Sequence, residues 1–383
     1  MELIKELPEV FEDFAEQRKN SFLAVKELKD QGVPVVGVFC TYLPQEIPAA
    51  MGAAVVGLCS TSDETIPEAE KELPRNLCPL IKSSYGFAKT DKCPFFYFSD
   101  LIVGETTCDG KKKMYEQLGE FKPVHVMELP NSQSEDGLQM YKNEIIRFQK
   151  VLEEKFGITI TEEDIRRATH LRNEERKALK AFYELMKLDP APMKGQDLFQ
   201  ILYGSTFKFD KEKVVSEINA IREKVESEYK EGKCLDKRPR ILVTGSPVAG
   251  GAMKVVKAIE DNGGVVVAFE NCGGARSIEA LVDEDAPDIY QALASRYLSL
   301  GCSCMSPNPN RYRLMGELIE DYKADAVVDV VLQACHTYNV ETMGIKKYVK
   351  EQYGIPYMSL ETDYSTGDIG QLNTRMAAFI EML

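Results

Sequence analysis

The sequence predicts an α/β chain: two parallel-sheet domains with a helical segment between them. Three observations lead there. Short β-branched apolar runs alternate with amphipathic stretches toward both ends, the pattern of parallel strands joined by crossover helices. The middle of the chain drops the strand pattern and keeps apolar residues at helical spacing among dense charges. The two ends also repeat one order of elements, with cysteines at matching places.

Taken in order, "VPVVGVF" (33–39) is a strand of the buried type ending at Cys40. "TYLPQEIPAAMGA" leads into a short helix, and "AAVVGLCS" is a second strand ending near Cys59. "FFYFSDLIVGETTCDG" reads as a strand and then a loop bearing Cys108, followed by a helix through "KKKMYEQLGEF" and a strand in "PVHVMELP". These form an N-terminal α/β domain over 1–135, with an N-terminal helix. Three charged amphipathic stretches make a helical segment over 136–235, closed by the linker "CLDKRPR". The C-terminal α/β domain spans 236–383. There "RILVTG" and "GGVVVAFE" are strands, the second leading to Cys272, and "DAVVDVVLQACHTYNVE" is a strand, Cys335 and a helix start.

With 383 residues and 44% hydrophobic content the chain is long enough for more than one core. A net charge of −14 argues against nucleic acid or an anionic membrane as partner. The start, "MELIKELPEVFEDFAEQRKN", has carboxylates where a secretory signal would be basic, and no apolar run approaches the ~18 residues of a spanning helix. The expectation is a cytoplasmic protein. A reducing cytosol disfavours disulfides as the main use of its ten cysteines.

Position says more than number. Cys40, Cys59, Cys108, Cys272 and Cys335 each fall at or just past the carboxyl end of a predicted strand, the edge where open parallel sheets bind ligands. Cys78 and Cys93 lie in loops, each before a proline, and Cys302 and Cys304 share the turn "GCSCMSPNPNR". Zinc favours close cysteine pairs two to four residues apart, whereas the only close pair here has one intervening residue. A lone nucleophile needs no such company, and His336 beside Cys335 reads as an incidental histidine at a helix start. Several thiolates from separate loops, some at helix N-termini, fit iron–sulfur ligation better. Scattered structural thiols are the plain alternative. "GSPVAGGA" has phosphate-loop glycine spacing, but Gly251 stands where lysine is required, so nucleotide energy would come from another polypeptide.

"GVFCTYLPQEIPAAMGAAVVGLCS", "LPRNLCPLIKSSYG", "GETTCDGKKKMYE", "GCSCMSPNPNR" and "DVVLQACHTYNVE" together resemble the 2-hydroxyacyl-CoA dehydratase D-component family, which also contains benzoyl-CoA reductase subunits. The resemblance covers essentially the whole chain. The cysteine pattern is similar to the single-subunit branch of double-cubane cluster proteins. It implies two Rossmann-like domains with a cluster held between them. Cys78, Cys108 and Cys335 match the three cysteines that hold one [4Fe–4S] cluster in dehydratase subunits. The double-cubane branch, with an [8Fe–9S] cluster, calls for three further thiolates. Cys40, Cys272 and Cys304 are the candidates, Cys302 is the reserve for Cys304, Cys59 and Cys93 read as structural, and Cys234 as incidental.

The function so implied is an iron–sulfur reductase component of a homodimer. An ATP-dependent iron–sulfur activator would supply low-potential electrons for reduction of a small molecule. Glu46, Glu105, His336 and Tyr338 lie beside the cysteine motifs as candidate proton donors. "KKK" (111–113) would neutralise a cluster or dock a partner, or is simply a solvated helix face. The alternative is a 2-hydroxyacyl-CoA dehydratase subunit, a lyase with one [4Fe–4S] cluster.

Overall fold

The computed structural model describes residues 23–383. The expected N-terminal helix falls outside these, apart from helical residues 23–30. The N-terminal domain contains β1 (Val35–Val38), α1 (Glu46–Ala50), β2 (Ala54–Gly57), α2 (Pro79–Lys89), α3 (Pro94–Phe98), β3 (Leu101–Glu105), α4 (Asp109–Leu118) and β4 (Val124–Met127). The middle segment contains α5 (Glu135–Phe156), α6 (Glu162–Tyr183), α7 (Gly195–Ser205) and α8 (Lys211–Lys230). Next come β5 (Arg240–Gly245), α9 (Met253–Asp261), β6 (Val265–Glu270), α10 (Ile289–Leu298), α11 (Pro309–Asp321), β7 (Ala326–Leu332), α12 (His336–Tyr353), β8 (Tyr357–Thr362) and α13 (Ile369–Ile380).

Both sheets have four parallel strands and one topology: β2-β1-β3-β4 and β6-β5-β7-β8. The repeated order of elements seen in the sequence is thus a repeated fold, and two Rossmann-like α/β domains are the observed architecture. β1, β5 and β7 are buried at every position because helices cover both sheet faces, which is why they read as unbroken apolar runs. One local expectation fails. "FFYF" is not a strand but α3, since Pro94 supplies a ready first helical turn and the strand begins only at Leu101.

The long helices are set by their ends. Ser134 caps α5, whose far end stops at Gly157 in the left-handed region (φ 66°). Thr161 and Asp164 form a reciprocal capping box on α6. The helical segment does not pack as a separate body. α5 covers the first sheet together with residues 282–305, while α7 and α8 pack in the core of the second sheet, and α6 contributes to both.

Residues 282–305 are the less foreseeable feature. They follow β6 in the chain, yet α10 crosses to the N-terminal domain and buries Ile289, Leu293 and Tyr297 there. The turn 301–311 is therefore delivered against the first sheet. Tyr42 donates to the Leu300 carbonyl at 2.8 Å and accepts the Cys302 N–H at 3.3 Å. Gln133 donates to the carbonyls of Leu298 and Leu300, and the Ser306 N–H bonds the Asn131 carbonyl at 2.8 Å.

The domains also meet at the glycines of "GSPVAGGA". The Gly251 N–H donates to the Thr61 carbonyl at 2.9 Å. Gly250 has φ +58°, and a Cβ there would stand 2.2 Å from Thr61 Oγ1. These glycines allow a close backbone approach between domains, which explains a phosphate-loop spacing without its lysine.

A candidate metal centre between the two sheets

The carboxyl ends of the two sheets face one another, and the thiols meet there. Cys78 and Cys335 act as a pair, one from each domain: Cys335 pushes Cys78 up, and Cys78 draws Cys335 down. Cys302 and Cys304 form a second pair, with Cys302 drawn down by Cys304 and raised by burial, and then helped by Arg276 and Tyr338. Cys40 feels Cys302, Cys304 feels Cys40, and Cys108 feels both Cys335 and Cys302. Cys272 is pushed up to about 12, chiefly by burial and then by Cys59. Eight thiols, those of Cys40, Cys59, Cys78, Cys108, Cys272, Cys302, Cys304 and Cys335, thus share one interdomain cleft. Cys93 caps α3, and Cys234 is exposed in the linker.

The three motif-matched cysteines share a further property: each is the N-cap of a helix. Cys78 precedes α2, Cys108 precedes α4 and Cys335 precedes α12. Backbone N–H groups of the first turn face each sulfur: Leu80 and Ile81 at Cys78, Lys111 at Cys108, and Tyr338 at Cys335. These groups and the helix dipoles favour thiolate over thiol. Burial opposes them and leads at Cys108, whose thiol stays above its ordinary value. A positive centre among the sulfurs would relieve that cost, because metal ligation deprotonates thiols.

Among the described residues no three His, Cys, Asp or Glu side chains are grouped to hold a single metal ion. A polynuclear iron–sulfur group asks for something else, since its thiolates bind different irons and the sulfurs need not share one centre. Cysteines from several separate loops, buried at Cys78 and half-buried at the others, some met by backbone donors, fit that demand.

The four candidate proton donors part ways. Glu105, the last residue of β3, is fully buried; neither carboxylate oxygen has a hydrogen-bond partner among the described residues, and burial pushes it up to about 8. Tyr338 accepts from Arg276 at 2.6 Å and lies 3.6 Å from Cys302 Sγ. His336 is exposed at the start of α12. Glu46 is tied away: it pairs with Arg176 at 2.8 Å and accepts from Tyr297 at 2.7 Å. Burial works against its charge, but Arg176 and Tyr297 outweigh it and hold Glu46 below the usual carboxylate range.

Sequence reasoning passed over the buried cations. Arg276 clamps Glu270 with bonds of 2.7 and 3.0 Å while holding Tyr338. Arg311, the last residue of the turn "GCSCMSPNPNR", is fully buried and donates to Thr244 Oγ1 at 2.9 Å and Glu270 at 3.3 Å. An arginine closing each of these two cysteine-bearing turns was the available signal. Lys111 separates from its neighbours: Lys112 and Lys113 form exposed pairs with Asp109 and Glu116, while Lys111 turns inward to 3.9 Å from Cys59 Sγ. Cys59, read as structural, thereby belongs to the cleft.

No helix among the described residues is long and apolar enough to cross a membrane. Similarity to known proteins runs along the whole chain. A protein named "Putative dehydratase subunit YjiM" from Escherichia coli (strain K12) is 58% identical, with all of both chains covered. The (R)-phenyllactyl-CoA dehydratase beta subunit of Clostridium sporogenes is 25% identical over 97% of each chain. A benzoyl-CoA reductase subunit of Thauera aromatica is 21% identical over 94% of each. The family model described as 2-hydroxyglutaryl-CoA dehydratase, D-component, matches residues 40–383, and the chain belongs to that family.

Proposed function

We propose that the protein is an iron–sulfur reductase component that takes low-potential electrons from a separate ATP-dependent iron–sulfur protein and delivers them to a small molecule. The supporting observation is the number and placement of the thiols. Three N-cap cysteines, Cys78, Cys108 and Cys335, are enough for one cubane, yet Cys40, Cys59, Cys272, Cys302 and Cys304 open on the same cleft. A double-cubane [8Fe–9S] cluster on Cys40, Cys78, Cys108, Cys272, Cys304 and Cys335 uses that surplus, with Cys302 beside Cys304 in the same turn.

When bound, such a cluster would store electrons for transfer to the substrate. The chain's own groups do the rest. Helix N-termini and buried cations favour the thiolate form that ligation requires, and Glu105 and Tyr338 are placed to hold or pass protons. Glu105 suits that work because burial brings its proton affinity near neutrality. The acidic chain would work in the cytoplasm as a homodimer with its activator.

A second reading, a dehydratase subunit with one [4Fe–4S] cluster, is favoured by the dehydratase names of the relatives. Iron and sulfide analysis of anaerobically purified protein separates the two. About eight irons per chain is the expected result and about four supports the dehydratase; an iron-free protein would overturn both.

A further inference from the structure

Resting on the cluster reading above, we propose that Lys111 is the counter-charge of the bound cluster: a buried ammonium whose anionic partner is the metal–sulfur group and not a carboxylate of the chain. The argument begins with helix geometry. Three consecutive lysines at about 100° intervals cannot share a face, and α4 points two of them to solvent and one to the cleft. Lys111 is only 8% exposed. Its Nζ lies 3.9 Å from Cys59 Sγ and 5.2 Å from the centre of the Phe39 ring.

Several other buried cations of the chain are met by carboxylates. Lys82 has Glu70 at 2.7 Å, Arg176 has Glu46 at 2.8 Å, and Arg276 has Glu270 at 2.7 Å. Arg240 and Arg296 give their donors to backbone carbonyls. Lys111 has no ion pair among the described residues, and its one polar side-chain contact is a sulfur. The nearby carboxyl does not cancel its charge either, because burial pushes Glu105 up to about 8 and keeps it mostly protonated at neutral pH.

A buried ammonium with no ion pair is unfavourable in an apolar setting and calls for an anion beside it. Thiolate-ligated iron–sulfur groups are anionic, and local charge sets their reduction potential. A cation at this place favours the more negative, reduced state.

The test replaces Lys111 by Met and by Arg in the full chain, purified anaerobically. Lys111→Met is expected to move the cluster midpoint potential to a more negative value or to lose iron, while Lys111→Arg stays near the parent. Melting temperature guards against a merely structural role. In iron-free protein Lys111→Met should melt at or above the parent, because a buried unpaired charge has gone, and in iron-loaded protein below it. An unchanged potential and iron content in Lys111→Met, or an equal fall in melting temperature with and without iron, would overturn the proposal and leave the cluster reading standing. If Lys111→Met fails to fold, Lys111→Gln repeats the neutralisation; failure of both while Lys111→Arg folds makes the lysine structural and overturns the proposal. A parent protein without iron removes both readings together.

Discussion

Cys78 and Cys335 stand as one thiol pair across the domain boundary, each the N-cap of its own helix and each altering the other's proton affinity. Two helix starts from two domains therefore aim at one point. Replacing either residue by Ala should remove most of the iron while far-UV circular dichroism stays unchanged. Cys234→Ala, in the exposed linker, should keep the full iron content. Equal iron retention in all three variants would contradict the site.

Glu46 serves as a second, separate test because its neighbours are structural. It joins α1 to Arg176 of α6 and to Tyr297 of α10. Glu46→Ala leaves Arg176 buried and uncompensated, at a cost of about 3–5 kcal/mol. Urea denaturation should show that loss, with iron per chain unaltered. A catalytic Glu46 would show the opposite, unchanged stability and lost turnover.

Acid stability should depend on Glu175. Burial opposes its charge, but Arg172 and Lys211, the latter at 3.0 Å, pull its proton affinity from 4.5 down to about 2. A lowered carboxylate contributes stability that is present above the unfolded value and lost as pH falls through the folded one. The contribution is about 3 kcal/mol at neutral pH and fades between roughly pH 4.5 and pH 2. Glu175→Gln should be less stable than the parent at pH 7 and nearly equal to it at pH 2. Parallel curves for the two proteins would refute the assignment.

Gly250 sets how closely the domains approach. A Cβ there would stand 2.3 Å from the Thr61 carbonyl oxygen and 2.2 Å from Thr61 Oγ1, on the other domain. Gly250→Ala should therefore destabilise by about 1–3 kcal/mol. Because the thiols come from both sides of this contact, iron should also be bound less tightly, measurable as faster loss to a chelator. Retention at the parent rate would mean that the cleft does not depend on this approach.

Much of the architecture was legible from local pattern. β1, β5 and β7 are covered on both faces, so each had to be a β-branched apolar run bounded by polar turns. The matching order of the two ends foretold two sheets with one strand order. "FFYF" misled because an aromatic run suits a strand or a short buried helix equally, and only the proline before it separates the two. The helical segment was legible as helix but not as shared packing, since periodicity says which face is apolar and not what will cover it.

The sequence by itself determined the elements and the placing of cysteines at strand ends and helix starts, because those follow from backbone geometry within a few residues. Only the tertiary structure decided which of them meet. α10 returning to the first sheet, Lys111 facing the thiols while Lys112 and Lys113 face solvent, and Glu46 locked to Arg176 all depend on contacts between residues far apart in the chain. Such contacts are chosen by the competition of whole surfaces for burial and of buried charges for partners, and no local stretch of sequence contains both sides of that competition.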